Sequence, residues 1–139
     1  MVADRIAPRR AETPRLFTVA EANACLPEVR QLLETIRETL ASLEALAPKP
    51  NRRAELLTNR GGTLVPGPYF VRLLSFEEAV SSLQRMGCVL KDARRGLVDF
   101  PARIGGKEVL LCWQAGEERV GYWHDLETGF AGRRPLDED

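Results

Sequence analysis

No run of apolar residues in this sequence approaches the roughly 18 that a membrane-spanning helix requires. The stretch before Phe17 contains arginines and prolines but no apolar centre, so it does not resemble a secretory signal. We therefore expect no membrane segment, a disordered tail over residues 1–15, and a short acidic end over 137–139.

The sequence also has few cysteines and no net charge. The 3 cysteines are odd in number and lack a Cys-x-x-Cys spacing, so we expect reduced thiols in a cytoplasmic protein rather than a disulfide framework. The 20 basic and 20 acidic side chains cancel, which argues against a dedicated nucleic-acid binder, since such proteins usually carry a basic surplus. A chain of 139 residues with 44% hydrophobic residues fits one globular domain.

A long helix is predicted over residues 17–47. Thr18 and Glu21 have the spacing of a capping box, in which each side chain binds a free backbone N–H of the other residue. Pro27 either kinks this helix or begins the longer of two helices, and the constant phase of the apolar pattern across the proline favours a kink. That pattern has the period of about 3.5 residues of a coiled-coil seam. The seam residues are Ala22, Leu26, Val29, Leu33, Ile36, Leu40, Leu43 and Ala47.

A second helix is predicted over residues 69–86. Its seam residues are Tyr69, Leu73, Phe76, Val80 and Leu83. Ser75 and Glu78 form another capping-box pattern at which this helix could begin or bend, and Gly87 has the position of a glycine that ends a helix in the left-handed conformation. Glycines and prolines between the two helices predict a linker over 48–68, with room for a short helix. Its arginines make it a candidate anion-contacting loop.

After Gly87 the apolar period changes to two, which predicts antiparallel strands within residues 88–125. The predicted strands are 88–91, 97–104, 107–114 and 120–125. The two glycines at 105 and 106 predict a tight hairpin turn, which fixes the register of the strands on either side. One hairpin face is then wholly apolar and is expected to lie on the helices; its pairs are Val98 with Trp113, Phe100 with Leu111, and Ala102 with Val109.

The sequence therefore predicts an α+β domain over residues 16–136. It consists of a long antiparallel helical hairpin with a coiled-coil-like seam, packed on a small antiparallel β-sheet of three to four strands. Three segments also resemble a known family, and they are FTVAEANACLPEVR, GCVLKDARRGLVDFPARIGGKEVLLCW and VGYWHDLETGFAGRRPL. They are similar to the bacterial domain-of-unknown-function family 2203 over about residues 17–136. The resemblance implies a small soluble bacterial protein without an established activity.

The hairpin face away from the helices contains a candidate metal site. The register places Asp99 opposite Cys112, and if Cys112 also faces Tyr122, then His124 and Tyr122 share this face. Tyr122 is then a candidate binding residue of the same site. Carboxylate, thiolate and imidazole suit zinc or another divalent transition metal. The alternative is that His124 only hydrogen-bonds a carboxylate or carbonyl and that Cys112 is a packing residue.

Two further clusters are candidate binding sites. Asp92, Glu117 and Asp125 could form an acidic rim for a hard cation, although turn carboxylates are usually only solvated. Four arginines are candidates for anion or nucleic-acid binding, and they are Arg94, Arg95, Arg133 and Arg134. The aromatic residues are expected in the core rather than beside these arginines, so stacking platforms for bases are missing and nucleic acid is not the favoured partner.

The favoured interpretation is a non-catalytic dimeric binding or assembly module. The seam of the first helix is longer than so small a sheet needs to cover, so we expect a homodimer through the helices and an unidentified protein partner. One alternative is a small metal-binding protein or metal-dependent enzyme that uses Asp99, Cys112 and His124. The other is nucleic-acid or anion binding through the arginine pairs. A divalent metal is the one cofactor that the sequence indicates.

Overall fold

In residues 15–46 and 67–136, which the computed structural model describes, two helices are followed by five strands. The elements are α1 (Val19–Leu46), α2 (Pro68–Arg85), β1 (Val89–Asp92), β2 (Leu97–Ile104), β3 (Lys107–Gln114), β4 (Tyr122–His124) and β5 (Arg134–Pro135), with a 3-10 helix at Phe130–Gly132. Most of the predicted tail, the linker and the acidic end lie outside the described residues. Within the described part of the chain, neither helix is long and apolar enough to cross a membrane.

Helix α1 begins at the predicted capping box. The backbone N–H of Thr18 donates to Glu21 Oε1, and the N–H of Glu21 donates to Thr18 Oγ1, each over 3.0 Å. The helix then runs through Pro27 to Leu46 without a break, so the prediction of one long helix is confirmed and the alternative of two helices is wrong. The apolar residues on both sides of the proline pack into the same core, which offsets the hydrogen bond that the proline removes.

The first part of the α1 seam is buried inside the chain, in one core with the sheet and α2. Its members before residue 37 are each at most 2% exposed, and they are Ala22, Leu26, Val29, Leu33 and Ile36. In the following turn Leu40 is half-buried, and Thr39 takes the buried position, where its hydroxyl donates to the carbonyl of Thr35 over 2.7 Å. The first part of the seam therefore packs against this chain's own sheet.

Helix α2 begins with Pro68 in its first turn, where the N–H that proline lacks would have no helical partner. The helix continues from there to Arg85, so the prediction that it could begin at Ser75 is wrong. Gly87 follows with a φ of 99°, as predicted for a glycine that ends a helix.

The five strands form one antiparallel sheet in chain order, β1-β2-β3-β4-β5. The β2–β3 hairpin has the predicted register, with Ile104 opposite Lys107 beside the turn. Its apolar face is buried, and Trp113 on that face is 1% exposed. Strand β4 also pairs as predicted, because Cys112 lies opposite Tyr122. The α+β architecture is therefore confirmed.

The sheet contains one strand more than the three to four that the sequence predicts. Strand β5 pairs with β4, placing Pro135 opposite Tyr122, and the N–H of Leu136 donates to the carbonyl of Gly121 over 2.8 Å. A strand of two residues shows no period-two pattern, so the sequence gives no signal for it. Proline is tolerated there because β5 is the edge strand.

Gly96, in the turn between β1 and β2, is a position where a side chain would be costly. Its φ is 72°, and an added Cβ would lie 2.6 Å from the Cβ of Ala115. We expect Gly96→Ala to lower the free energy of unfolding by about 2–4 kcal/mol, because the left-handed backbone and the steric overlap both contribute. Gly105→Ala is the matched control, since Gly105 has a φ of 60° with open space around it, and about 1–2 kcal/mol is expected there. Urea unfolding measures both losses, and equal values would show that Ala115 does not constrain the turn.

Candidate metal centre

Three side chains of different chemistry meet on the sheet face that points away from the helices. Asp99 on β2, Cys112 on β3 and His124 on β4 each offer one ligand atom, and these atoms all lie within 4.8 Å of one another. The strand register causes this meeting, because alternate residues share a face and Asp99 lies directly opposite Cys112. Over residues 15–46 and 67–136, no other group of three or more acidic, cysteine or histidine side chains converges in this way.

The cluster is buried even though it lies on the far side of the sheet from the helices. Asp99 and Cys112 are 1% exposed and His124 is 2% exposed. The segment that follows β4 contributes this cover: Arg133 donates to the carbonyl of Cys112 over 3.2 Å and lies 4.0 Å from the ring centroid of Tyr122, which shares the far face. We call residues 126–136 the C-terminal strap.

Both ring nitrogens of His124 have partners. Nδ1 lies 2.8 Å from the backbone carbonyl of Asp125, and Nε2 lies 3.1 Å from Oδ2 of Asp99. A carbonyl oxygen only accepts, so Nδ1 carries a hydrogen and Nε2 is directed into the cluster. Metal-binding histidines have this arrangement, in which the nitrogen away from the metal donates to a carbonyl or carboxylate and fixes the ring.

The cluster retains protons that a metal would displace. Because Nδ1 already carries its hydrogen, the contact between Nε2 and Oδ2 requires one proton shared between His124 and Asp99. Burial raises the pKa of Asp99, and the nearby charge of His124 lowers it only in part. Burial also raises the pKa of Cys112 to about 11; Asp99 adds to this rise and the Arg133 guanidinium opposes it. Cys112 is therefore a thiol at neutral pH.

Glu117 and Arg133 form an ion pair beside the cluster. The sequence alone does not predict this pair. The Arg133 guanidinium binds both carboxylate oxygens of Glu117, over 2.8 and 2.9 Å. Glu117 Oε1 also accepts from the backbone N–H of Gln114 over 2.9 Å. Burial lowers the pKa of Arg133, but its hydrogen bonds to Glu117 and its proximity to Cys112 outweigh that effect and raise it.

The arginines proposed for anion binding are occupied by contacts within the chain. Arg94 forms an ion pair with Glu44 of α1, and Arg133 forms one with Glu117. An anion that used both arginines would have to displace both carboxylates. Anion binding stays a prediction, without a preformed site for these two residues.

The other two proposed arginines lie over aromatic rings. Arg95 lies 4.5 Å from the ring centroid of Phe130, and Arg134 lies 5.4 Å from that of Trp123. The expectation that the aromatic residues lie away from the arginines is therefore wrong. It fails because Phe130 belongs to the strap and Trp123 lies beside the edge strand, so neither ring is fully enclosed by the core.

The acidic rim proposed from Asp92, Glu117 and Asp125 does not form within the described part of the chain. Asp92 accepts a backbone N–H of its own turn, Glu117 binds Arg133, and Asp125 pairs with Lys107 over 3.0 Å. Each carboxylate therefore has a separate partner instead of a shared centre.

Two surface depressions lie elsewhere on the molecule. One, of about 300 Å³, is lined by residues that include Phe17 and Ala102, and the other, of about 320 Å³, by residues that include Arg37 and Trp113. Neither is lined by a residue of the cluster, so neither gives a substrate access to it.

The family model described as "Uncharacterized conserved protein (DUF2203)" matches residues 15–136. No curated protein and no solved structure matches the chain.

The burial of the cysteines predicts their reactivity. Cys25 is half-buried, whereas Cys88 and Cys112 are buried with pKa values raised by that burial to about 12 and about 11. The thiolate is the reactive form, so we expect a pulse of iodoacetamide at pH 8 to alkylate Cys25 first and the other two only after unfolding. Peptide mass spectrometry identifies the labelled sites, and Cys25→Ser is the control that removes the fast one. Fast labelling of Cys112 would contradict a closed cluster.

Proposed function

The chain belongs to the DUF2203 family, and we propose that it is a non-catalytic metal-binding protein whose ligands are Asp99, Cys112 and His124. The proposed metal is a divalent transition ion of the zinc class, because the three ligand atoms are an oxygen, a sulfur and an imidazole nitrogen.

The observation that carries this proposal is the convergence of the three ligand atoms within 4.8 Å, in an interior that is at most 2% exposed. In a tetrahedral zinc site, neighbouring ligand atoms lie about 3.5 Å apart, so small side-chain adjustments would bring these atoms to the required spacing. Binding would replace the contact between His124 Nε2 and Asp99 Oδ2. The bond from Nδ1 to the Asp125 carbonyl would remain and hold the ring in place.

The electrostatics of the cluster support the same proposal. Burying three polar groups carries a desolvation cost that apolar side chains of similar size would avoid. A divalent cation would neutralise the carboxylate and the thiolate, so the bound cluster would have no net charge. Binding would also release protons, because metal ligands must be deprotonated. The proposed role is non-catalytic because the three ligand residues are at most 2% exposed and neither surface depression is lined by any of them.

Asp99→Asn provides the sharpest test. Asparagine has nearly the same shape and its amide can donate to Nε2, so the apo fold should be retained while an anionic ligand is lost. We expect zinc to stabilise the wild type by about 2.7 kcal/mol when free zinc exceeds its dissociation constant 100-fold, and to have little effect on Asp99→Asn. Thermal unfolding with zinc, and separately with excess chelator, measures the difference.

The matched control is Glu108→Gln on the same hairpin, which removes an exposed carboxylate from an ion pair with Arg103. It should respond to zinc as the wild type does. If the wild type and Asp99→Asn respond equally to zinc, the cluster is a hydrogen-bond network and not a metal site.

Assembly is a second proposal, and it rests on the outer side of α2. The early seam of α1 packs within the chain, so a dimer interface through the helices requires other residues. Val71 and Leu74 are 45% and 49% exposed, and their i, i+3 spacing makes them neighbours on the helix surface. We propose that two copies of the chain associate through the face of α2 that carries these two residues.

Size-exclusion chromatography coupled to light scattering measures the molecular mass in solution and so tests the dimer. At tens of micromolar we expect the wild type to have the mass of two chains and Leu74→Glu the mass of one, because a buried charge at the contact is unfavourable. Ile104→Glu, which changes an apolar residue 37% exposed beside the hairpin turn, is the control and should remain dimeric. A monomeric wild type would refute this interface.

A further inference from the structure

We propose that the C-terminal strap is the gate of the metal centre and that Arg133 is the latch that holds it closed. This inference rests on the proposed function, because it concerns how a metal enters and leaves the same cluster. Arg133 acts here as a positioning residue and not as a metal ligand.

The strap makes fewer backbone hydrogen bonds to the sheet than the strands that carry Asp99 and Cys112 make with each other. Asp99 and Cys112 lie on the eight-residue strands β2 and β3, which pair along their whole length. The backbone of the strap is joined to the sheet through the two-residue strand β5 and by the bond from Leu136 to Gly121, and its other contacts with the sheet are made by side chains. A segment with so few backbone hydrogen bonds opens at lower free energy than the sheet does.

Arg133 makes several of the side-chain contacts that join the strap to the sheet. Its guanidinium lies over two rings, 4.0 Å from the centroid of Tyr122 and 4.6 Å from that of Phe130. It also binds both carboxylate oxygens of Glu117, in the loop that follows β3, and it is 14% exposed. A planar guanidinium can make the two parallel bonds and both ring contacts together, which a lysine ammonium cannot. Arg133 therefore joins the strap to the body of the sheet.

The latch also contacts the cluster directly. Arg133 Nη2 donates to the carbonyl of Cys112 over 3.2 Å, so the guanidinium lies against the residue that supplies the sulfur. Its Nε is buried and has no hydrogen-bond partner among the described residues. A metal-bound sulfur is a thiolate, which accepts hydrogen bonds better than a thiol and would give this guanidinium a stronger partner. Metal binding should therefore favour the closed strap, and by reciprocity the closed strap should favour the bound metal.

Two variants weaken the latch without altering a ligand. Arg133→Met removes the guanidinium, and Glu117→Gln removes the negative charge that holds it. Arg134→Met is the matched control, because Arg134 is the next residue of the strap and lies over Trp123 instead of the cluster. All three are purified with zinc bound, and their unfolding midpoints are compared to establish that they are folded.

The experiment measures zinc uptake and zinc release by stopped flow, the latter into an excess of a coloured chelator. Weakening a gate speeds both the entry and the exit of the metal. We therefore expect Arg133→Met and Glu117→Gln to raise the association rate several-fold and the dissociation rate at least tenfold. Arg134→Met should stay within about twofold of the wild type. Hydrogen exchange adds a second measurement: zinc should slow amide exchange in residues 126–136 of the wild type, and much less in Arg133→Met.

The outcomes separate this inference from the function on which it rests. If the wild type takes up zinc but neither latch variant changes the association rate, the gate is wrong and the metal centre stands. A rise in the dissociation rate alone would assign Arg133 a purely stabilising role and would also overturn the gate. If the wild type takes up no zinc, the proposed function fails and the gate fails with it.

Discussion

The register of the β2–β3 hairpin determines what each face of the sheet contains. Side chains alternate along a strand, so a slip of one residue would exchange the two faces completely. In the observed register Trp113 and its apolar neighbours face the helices, while Asp99 and Cys112 meet on the opposite side. The Gly105-Gly106 turn fixes this register. The core and the candidate metal centre therefore depend on one short turn.

Both faces of this sheet are covered, but by different means. Helices with an apolar seam cover one face, and hydrophobic burial stabilises that contact without demanding particular partners. The strap helps to cover the other face through directional bonds, chiefly those between Arg133 and Glu117. The polar side of the sheet is therefore the side to which the proposed gate belongs.

The features that could be predicted from the sequence are those with a local or periodic cause. The capping box of α1 and the hairpin register follow from neighbouring residues, and the register alone brings Asp99 and Cys112 together. Strand β5 and the bond between Glu117 and Arg133 depend on a chain that returns from β4 across the sheet, and no spacing in the sequence encodes that return. The burial of Asp99, Cys112 and His124 could not be predicted either, because residues 126–136 show no periodic apolar pattern.

His124 is the only histidine in the chain. Its Nδ1 is hydrogen-bonded to the Asp125 carbonyl, and its Nε2 contacts the Asp99 carboxylate. The imidazole resonances of a nitrogen-labelled sample would therefore come from this one ring, without any overlap to resolve. His124 is therefore a built-in NMR probe of the cluster. A change of tautomer, of protonation or of metal ligation would each shift its nitrogen resonances differently.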